Sequence, residues 1–146
     1  MAVAHGGLPE SIDPVRLADE GRRIEGTIPV ARLPRLAAMC VSADGVAHVI
    51  ASFERTAQGS RLMHLQLDAH ASFVCARCLE PVTITWRARN LFVIARGSEA
   101  DRIADDADVL VADGPLRFYE FVEEALLLSV PMIPAHEQCG GTAMPV

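Results

Sequence analysis

Two short pairs of thiol and imidazole residues carry the clearest chemistry in this sequence: Cys75-Ala-Arg-Cys78 in mid-chain and His136-Glu-Gln-Cys139 towards its end. A C-x-x-C turn holds two thiolates close enough for one tetrahedral Zn²⁺, and such a site needs two further soft ligands. His136 and Cys139 would complete a closed Cys₃His set, the kind that is structural and leaves no open position for a substrate. The spacing from Cys78 to His136 is far longer than in a zinc finger, and Leu79 stands where a zinc knuckle usually has glycine. Three readings of the pair therefore stay open: a metal site, plain thiols, or a redox couple. Redox chemistry has the least support, because a thioredoxin-type pair needs a helix N-terminus to lower the nucleophile's pKa. Pro81, three residues on, argues against a helix there. Cys40 lies on an apolar stretch and reads as a buried thiol.

Other constellations are weaker. His64, Asp68 and His70 share one parity of an alternating segment and read as a solvated strand face. Glu123 and Glu124 could meet a partner or simply be exposed helix acids. Arg77, Arg87, Arg89 and Arg96 lie around the cysteine turn and the segment after it, and are the candidates for RNA phosphate contacts. The sequence has no phosphate loop, dinucleotide glycine fingerprint, nucleophile elbow or H-E-x-x-H. A protein that is not an enzyme and takes no small-molecule substrate is expected.

The elements that position these residues follow from periodicity. Asp13-Pro14 can cap and open a short helix running to about Gly21, and a strand follows over 24–30. A second short helix is expected from near Pro34. Residues 46–53 and 61–73 alternate strictly, with Met63, Leu65, Leu67, Ala69, Ala71 and Phe73 on one face, and Gln58-Gly-Ser60 supplies the turn between them. A third strand should follow Pro81, with a bulge near Arg89-Asn90 where the apolar parity shifts to Leu91 and Val93. Residues 99–108 form an acidic loop, 109–111 a short strand, and 118–130 a helix buried through Phe118, Val122, Ala125, Leu126 and Ser129. The expected fold is α+β, a mainly antiparallel β-sheet covered by helices from both chain ends.

Size and charge bound the rest. At 146 residues the chain fits one domain, expected over residues 11–140, with 1–10 and 141–146 as flexible termini. No apolar run approaches the ~18 residues of a membrane span, and the N-terminus does not read as a secretory signal. A cytoplasmic location with reduced thiols is expected. The net charge of −6 is unevenly placed: residues 1–96 carry +2 and residues 97–146 carry −8. Such an acidic half excludes a protein that coats nucleic acid on every side, and leaves a modestly basic face in the first two-thirds.

Taken in order, Asp13-Pro14-Val-Arg, Glu25-Gly26, Leu33-Pro34-Arg35-Leu36, Cys75-Ala-Arg-Cys78-Leu79, and the run from Val122 through Pro131 and Pro134 to His136 and Cys139 resemble the bacterial YceD family. These are the large ribosomal RNA subunit accumulation proteins, and the resemblance covers about residues 11–140. It implies a small cytoplasmic ribosome-biogenesis factor supporting synthesis, processing or stability of 23S ribosomal RNA, without catalytic residues. Large-subunit ribosomal RNA or a ribosome-assembly protein would be its partner. Cys75, Cys78, His136 and Cys139 would be the shared site, with structural zinc as the inferred cofactor. The alternative is a zinc-stabilised protein–protein adaptor that acts on ribosomal RNA only indirectly.

Overall fold

A computed structural model describes residues 8–98 and 108–137. Its centre is a five-stranded sheet in the order β2-β3-β4-β5-β6, formed by β2 (Arg23–Pro29), β3 (Val46–Arg55), β4 (Arg61–Val74), β5 (Pro81–Ala95) and β6 (Asp108–Val111). The first four strands are joined antiparallel, and only β6 runs parallel to its neighbour. The fold is therefore α+β with a mainly antiparallel sheet. A two-residue pairing joins β1 (Ser11–Ile12) to β7 (Leu116–Arg117) outside the main sheet.

The strict alternation of β3 and β4 has its direct physical result. Ala47, Val49, Ala51 and Phe53 are buried with Met63, Leu65, Leu67, Ala69, Ala71 and Phe73, because successive side chains of a strand point to opposite faces. Their alternate neighbours His64, His70, Thr83, Thr85, Arg87 and Arg89 are exposed on the other face. On the core side, α1 (Pro14–Glu20) packs against β3 and β4, and α3 (Phe118–Ser129) packs against β5 and α2 (Pro34–Ala37).

Local chemistry sets the helix ends. Asp13 accepts the Arg16 amide at 3.3 Å, and Pro14 takes the first helical position. At the other end Gly21, at φ +63°, donates to the Ala18 carbonyl while Arg22 donates to that of Leu17, which is the Schellman arrangement. Asp19 then ties α1 to β4 through Arg61 at 2.8 Å, and that hydrogen bond holds the Asp19 carboxyl below its usual range. Contacts also reach ahead of Ser11. Leu8 is buried, its carbonyl accepts the Tyr119 hydroxyl at 2.9 Å, and the Glu10 carbonyl accepts the Phe118 amide.

Three expectations need correction. No bulge interrupts β5, whose register with β4 is unbroken from Val74↔Pro81 to Arg61↔Ile94. Phe92 and Ile94 continue the core parity, while Leu91 projects from the open face, where a single exposed leucine costs little. Glu123 is not an exposed helix acid. It is buried at 3% exposure, and its carboxylate accepts the Arg35 and Leu36 amides at 2.6 and 3.1 Å. It thereby caps the N-terminus of α2 from another helix. In the α3 stripe, Phe118, Val122 and Leu126 are buried, but Ala125 and Ser129 are only half-buried. Residues 99–107 of the acidic segment lie outside the described residues, and Asp108 opens β6.

Candidate metal centre

The turn between β4 and β5 is built to fold two thiols inward. Cys75 donates its amide to the Glu80 carbonyl at 2.9 Å, continuing the ladder one step past β4, and Leu79 returns its own amide to the Cys75 carbonyl at 3.0 Å. The six-residue connection closes only if one residue turns left-handed, and Leu79 does so at φ +65°. A leucine in that region is unusual and strained, since its Cβ crowds the backbone. This is the position where a knuckle commonly has glycine, so leucine keeps the geometry at an energetic cost. Leu79 is 73% exposed and buries little. Leu79→Gly is expected to leave stability unchanged or raise it by up to about 1 kcal/mol, relief of strain exceeding the entropy that glycine adds to the unfolded chain. A urea midpoint that falls would contradict this.

The third candidate ligand, His136, arrives on the segment after α3. Pro131 and Pro134 follow the helix, and the Pro134 carbonyl accepts the Ala76 amide at 2.8 Å, which lays the segment against the turn. His136 then sits between the turn and β5. Its Nε2 is 3.0 Å from the Pro81 carbonyl and its Nδ1 is 3.4 Å from Cys78 Sγ. A carbonyl can only accept, so Nε2 must hold the proton, and the Nδ1 lone pair faces the sulfur atoms. Metal-binding histidines are commonly oriented by such a hydrogen bond from the ring nitrogen that faces away from the metal.

The ligand atoms of Cys75, Cys78 and His136 all lie within 4.8 Å of one another. Around a tetrahedral zinc with bonds of about 2.0–2.3 Å they would stand roughly 3.5–3.8 Å apart, so a small contraction suffices. The Arg77 amide points at Cys75 Sγ at 3.4 Å. Two sulfur atoms and one nitrogen suit zinc or another soft metal. Among the described residues this is the one grouping of His, Cys, Asp and Glu with metal-ligand spacing. Cys139, the expected fourth ligand, lies outside the described residues. Cys75 is fully buried, which keeps solvent oxidants and thiols from its sulfur. Cys40 stays apart, half-buried, with its Sγ 3.3 Å from the Leu36 carbonyl, and burial pushes its thiol pKa up.

The four arginines do not form one cluster. Arg87 and Arg89 stand together on the open face of β5, Arg87 paired with Asp68 at 2.9 Å and Arg89 opposite Gln66. Arg77 is exposed in the cysteine turn at one end of β5, and Arg96 follows the other end, beside Asp13, Asp19 and Asp113. A strand of this length separates them by roughly 45–50 Å. Two histidines of the open face are held by acids: His64 with Glu54 at 2.8 Å and His48 with Glu25 at 3.2 Å. The role of the Pro81 carbonyl and the left-handed Leu79 were both missed from sequence. A proline shortly after a C-x-x-C pair is the one signal that marks where the ladder resumes.

Comparison with known proteins gives a consistent picture. A family model described as "Large ribosomal RNA subunit accumulation protein YceD" matches residues 63–146, which takes in all but the first two residues of β4, the cysteine turn, β5, α3 and His136. The large ribosomal RNA subunit accumulation protein YceD of Haemophilus influenzae is 28% identical over 145 residues, spanning 90% of this chain and 79% of that protein. No solved structure matches the chain.

Proposed function

Since this chain belongs to the YceD family of large ribosomal RNA subunit accumulation proteins, we propose that it is a cytoplasmic, non-catalytic ribosome-biogenesis factor supporting the synthesis, processing or stability of 23S ribosomal RNA. The family match through residues 63–146 carries this reading. It acts as one domain over about residues 11–140, with Cys75, Cys78, His136 and Cys139 holding a structural zinc. That ion would clasp the segment after α3 to the sheet and supply no reaction chemistry. No described helix is long and apolar enough to cross a membrane.

RNA contact is assigned to the open face, with Arg87 and Arg89 at its centre and Arg77 at the cysteine-turn end, while Arg96, the fourth candidate, stands on the α1 side beside Asp19. The face has exposed arginine and histidine but no aromatic ring, which favours phosphate contacts over base stacking. Binding to a large-subunit RNA fragment, followed from 50 to 300 mM salt, should weaken with a log–log slope that falls by about 0.7–1 for each arginine replaced by alanine. Affinity indifferent to salt would remove the phosphate contacts. The net −8 of residues 97–146 favours a second reading, a zinc-stabilised adaptor whose partner is a ribosome-assembly protein. Co-purification with such a protein after nuclease treatment, together with no RNA affinity of its own, would select the adaptor.

A further inference from the structure

Among the described residues, one edge of the sheet is left partly unpaired. The Cys75–Glu80 hydrogen bond sets the phase of the β4–β5 ladder, in which hydrogen-bonded pairs recur at every second residue. Even-numbered residues of β5 therefore bond to β4, and odd-numbered ones direct their N–H and C=O groups away from it. Two outward carbonyls agree with this phase: Pro81 receives His136 Nε2, and Ala95 receives the Ala112 amide. β6 covers only Phe92–Ala95. Between these ends Thr83, Thr85, Arg87, Arg89 and Leu91 present their backbone groups outward, and none has a backbone partner among the described residues. The open stretch is about 26 Å long.

Edge strands are normally blunted by proline, a bulge, short length, charged side chains or a covering segment. Here Ala135, His136 and Glu137 lie beside Val82, Thr83 and Thr85, and the charges are Arg87 and Arg89. Residues 82–91 contain no proline, and their register is unbroken. Beside them α3 leaves a hollow floored by Phe92, Phe121, Ala125 and Leu128. The Phe92 and Phe121 rings meet edge to face at 5.0 Å, and Leu128 is 79% exposed over them. We infer that this edge and hollow form a docking groove for an extended peptide of another protein, added as a strand alongside β5 in line with β6.

Side-chain chemistry specifies that peptide. In an added strand, alternate residues flank Thr85, Arg87, Arg89 and Leu91 on the open face, while those between them face the α3 hollow. Arg87 and Arg89 call for acidic residues in the first row; Arg89 makes no ion pair among the described residues. The second row must be apolar and free of acids, because Glu124 and Asp108 flank the hollow. Antiparallel pairing of two copies through this edge would place arginines opposite arginines, which disfavours a second molecule of this chain. The partner segment therefore alternates acidic and apolar residues. This groove is independent of the RNA reading, although an acidic strand and RNA phosphate would compete for Arg89.

The test uses the full chain and a capped (Glu-Val)₅ decapeptide, with (Arg-Val)₅ and the block peptide Glu₅Val₅ as controls. Amide hydrogen exchange should show new protection at Thr83, Thr85, Arg87, Arg89 and Leu91 on adding (Glu-Val)₅. Fluorescence anisotropy should give binding at least tenfold tighter than to either control. Arg89→Glu should reverse the preference towards (Arg-Val)₅. Leu128→Glu, on a side chain exposed enough to leave folding intact, should weaken (Glu-Val)₅ binding at least fivefold. Equal binding of the block peptide, or no effect of both substitutions, would overturn the inference. So would protection of the same five amides before any peptide is added, since the chain's own residues would then hold the edge. Protection conferred by a uridine dodecamer and not by (Glu-Val)₅ would also overturn it, assigning the edge to RNA.

Discussion

Cys75→Ser is expected to release one equivalent of zinc per chain and to destabilise the protein by about 4 kcal/mol when free zinc is roughly a thousandfold above its dissociation constant. The serine hydroxyl nearly matches the thiol in size and can still accept the Arg77 amide that now points at Cys75 Sγ. It is a poor zinc ligand at neutral pH, because its proton is held far more tightly than a thiol's. In a site without metal the same change would alter one buried polar contact, worth about 1 kcal/mol. The size of the loss therefore separates a metal clasp from plain thiols. Elemental analysis of both proteins, with thermal unfolding before and after a strong chelator, makes the measurement. Chelator should bring the wild type down to the level of the variant and leave the variant unmoved. Absence of zinc from the wild type, with only a ~1 kcal/mol difference between the two, would end the metal reading.

Glu123→Ala should cost about 3 kcal/mol, more than most single helix caps. Helix α2 spans only Pro34–Ala37, too short to persist by itself. Leu33, which precedes it, has no side-chain hydrogen bond to offer as a cap, and the Glu123 carboxylate supplies one from α3. Removing it strands two amides, that of Leu36 deep in the core, where an unmet donor costs about 1–3 kcal/mol and a lost charged acceptor more. Leu33 and Leu36, both almost fully buried, would lose their seat against α3. Glu123→Gln keeps an acceptor oxygen and should cost only about 1 kcal/mol. Urea unfolding of the two variants checks this, and equal losses would show that the carboxylate's charge matters there, not the acceptor oxygen or the volume that glutamine keeps.

How legible these features were depended on the range of the interactions behind them. β3 and β4 could be read because one buried and one solvated face impose a period of two on Met63 through Phe73. Ends of α1 were legible because Asp13, Pro14 and Gly21 act on their own neighbours. Leu91 misled because apolar residues were taken to be inward, although an open sheet face tolerates one without distorting the strand. Glu123 was hidden because its partners lie almost ninety positions away, and no local pattern marks a carboxylate that caps a different helix. The β1–β7 pair, two residues on each strand, is too short to show any period. In the candidate site, the residue types of Cys75, Cys78 and His136 could be read from spacing alone. Their convergence depended on the Ala76–Pro134 and Pro81–His136 hydrogen bonds, which only the folded chain reveals. The arginines appeared clustered in sequence because twenty consecutive residues look close, whereas the fifteen-residue strand between Arg77 and Arg96 holds those two at opposite ends.

The joining of Ser11–Ile12 to Leu116–Arg117 has a consequence for the order in which the chain assembles on leaving the ribosome. Strands β2 to β5 are successive antiparallel neighbours, so each can zip onto the one synthesised just before it. The leading segment has no such neighbour. Its partner emerges about a hundred residues later, and it must wait through nearly the whole of synthesis. Until α3 follows, Trp86, Ala88 and Phe92 lack the helix that packs against β5. The first turn of the chain can thus close onto its last helix only after Leu116 and Arg117 have emerged. A nascent chain arrested before residue 116 would present a sheet covered by α1 over β3 and β4 but greasy and bare over β5, a natural substrate for the chaperones that wait at the tunnel exit.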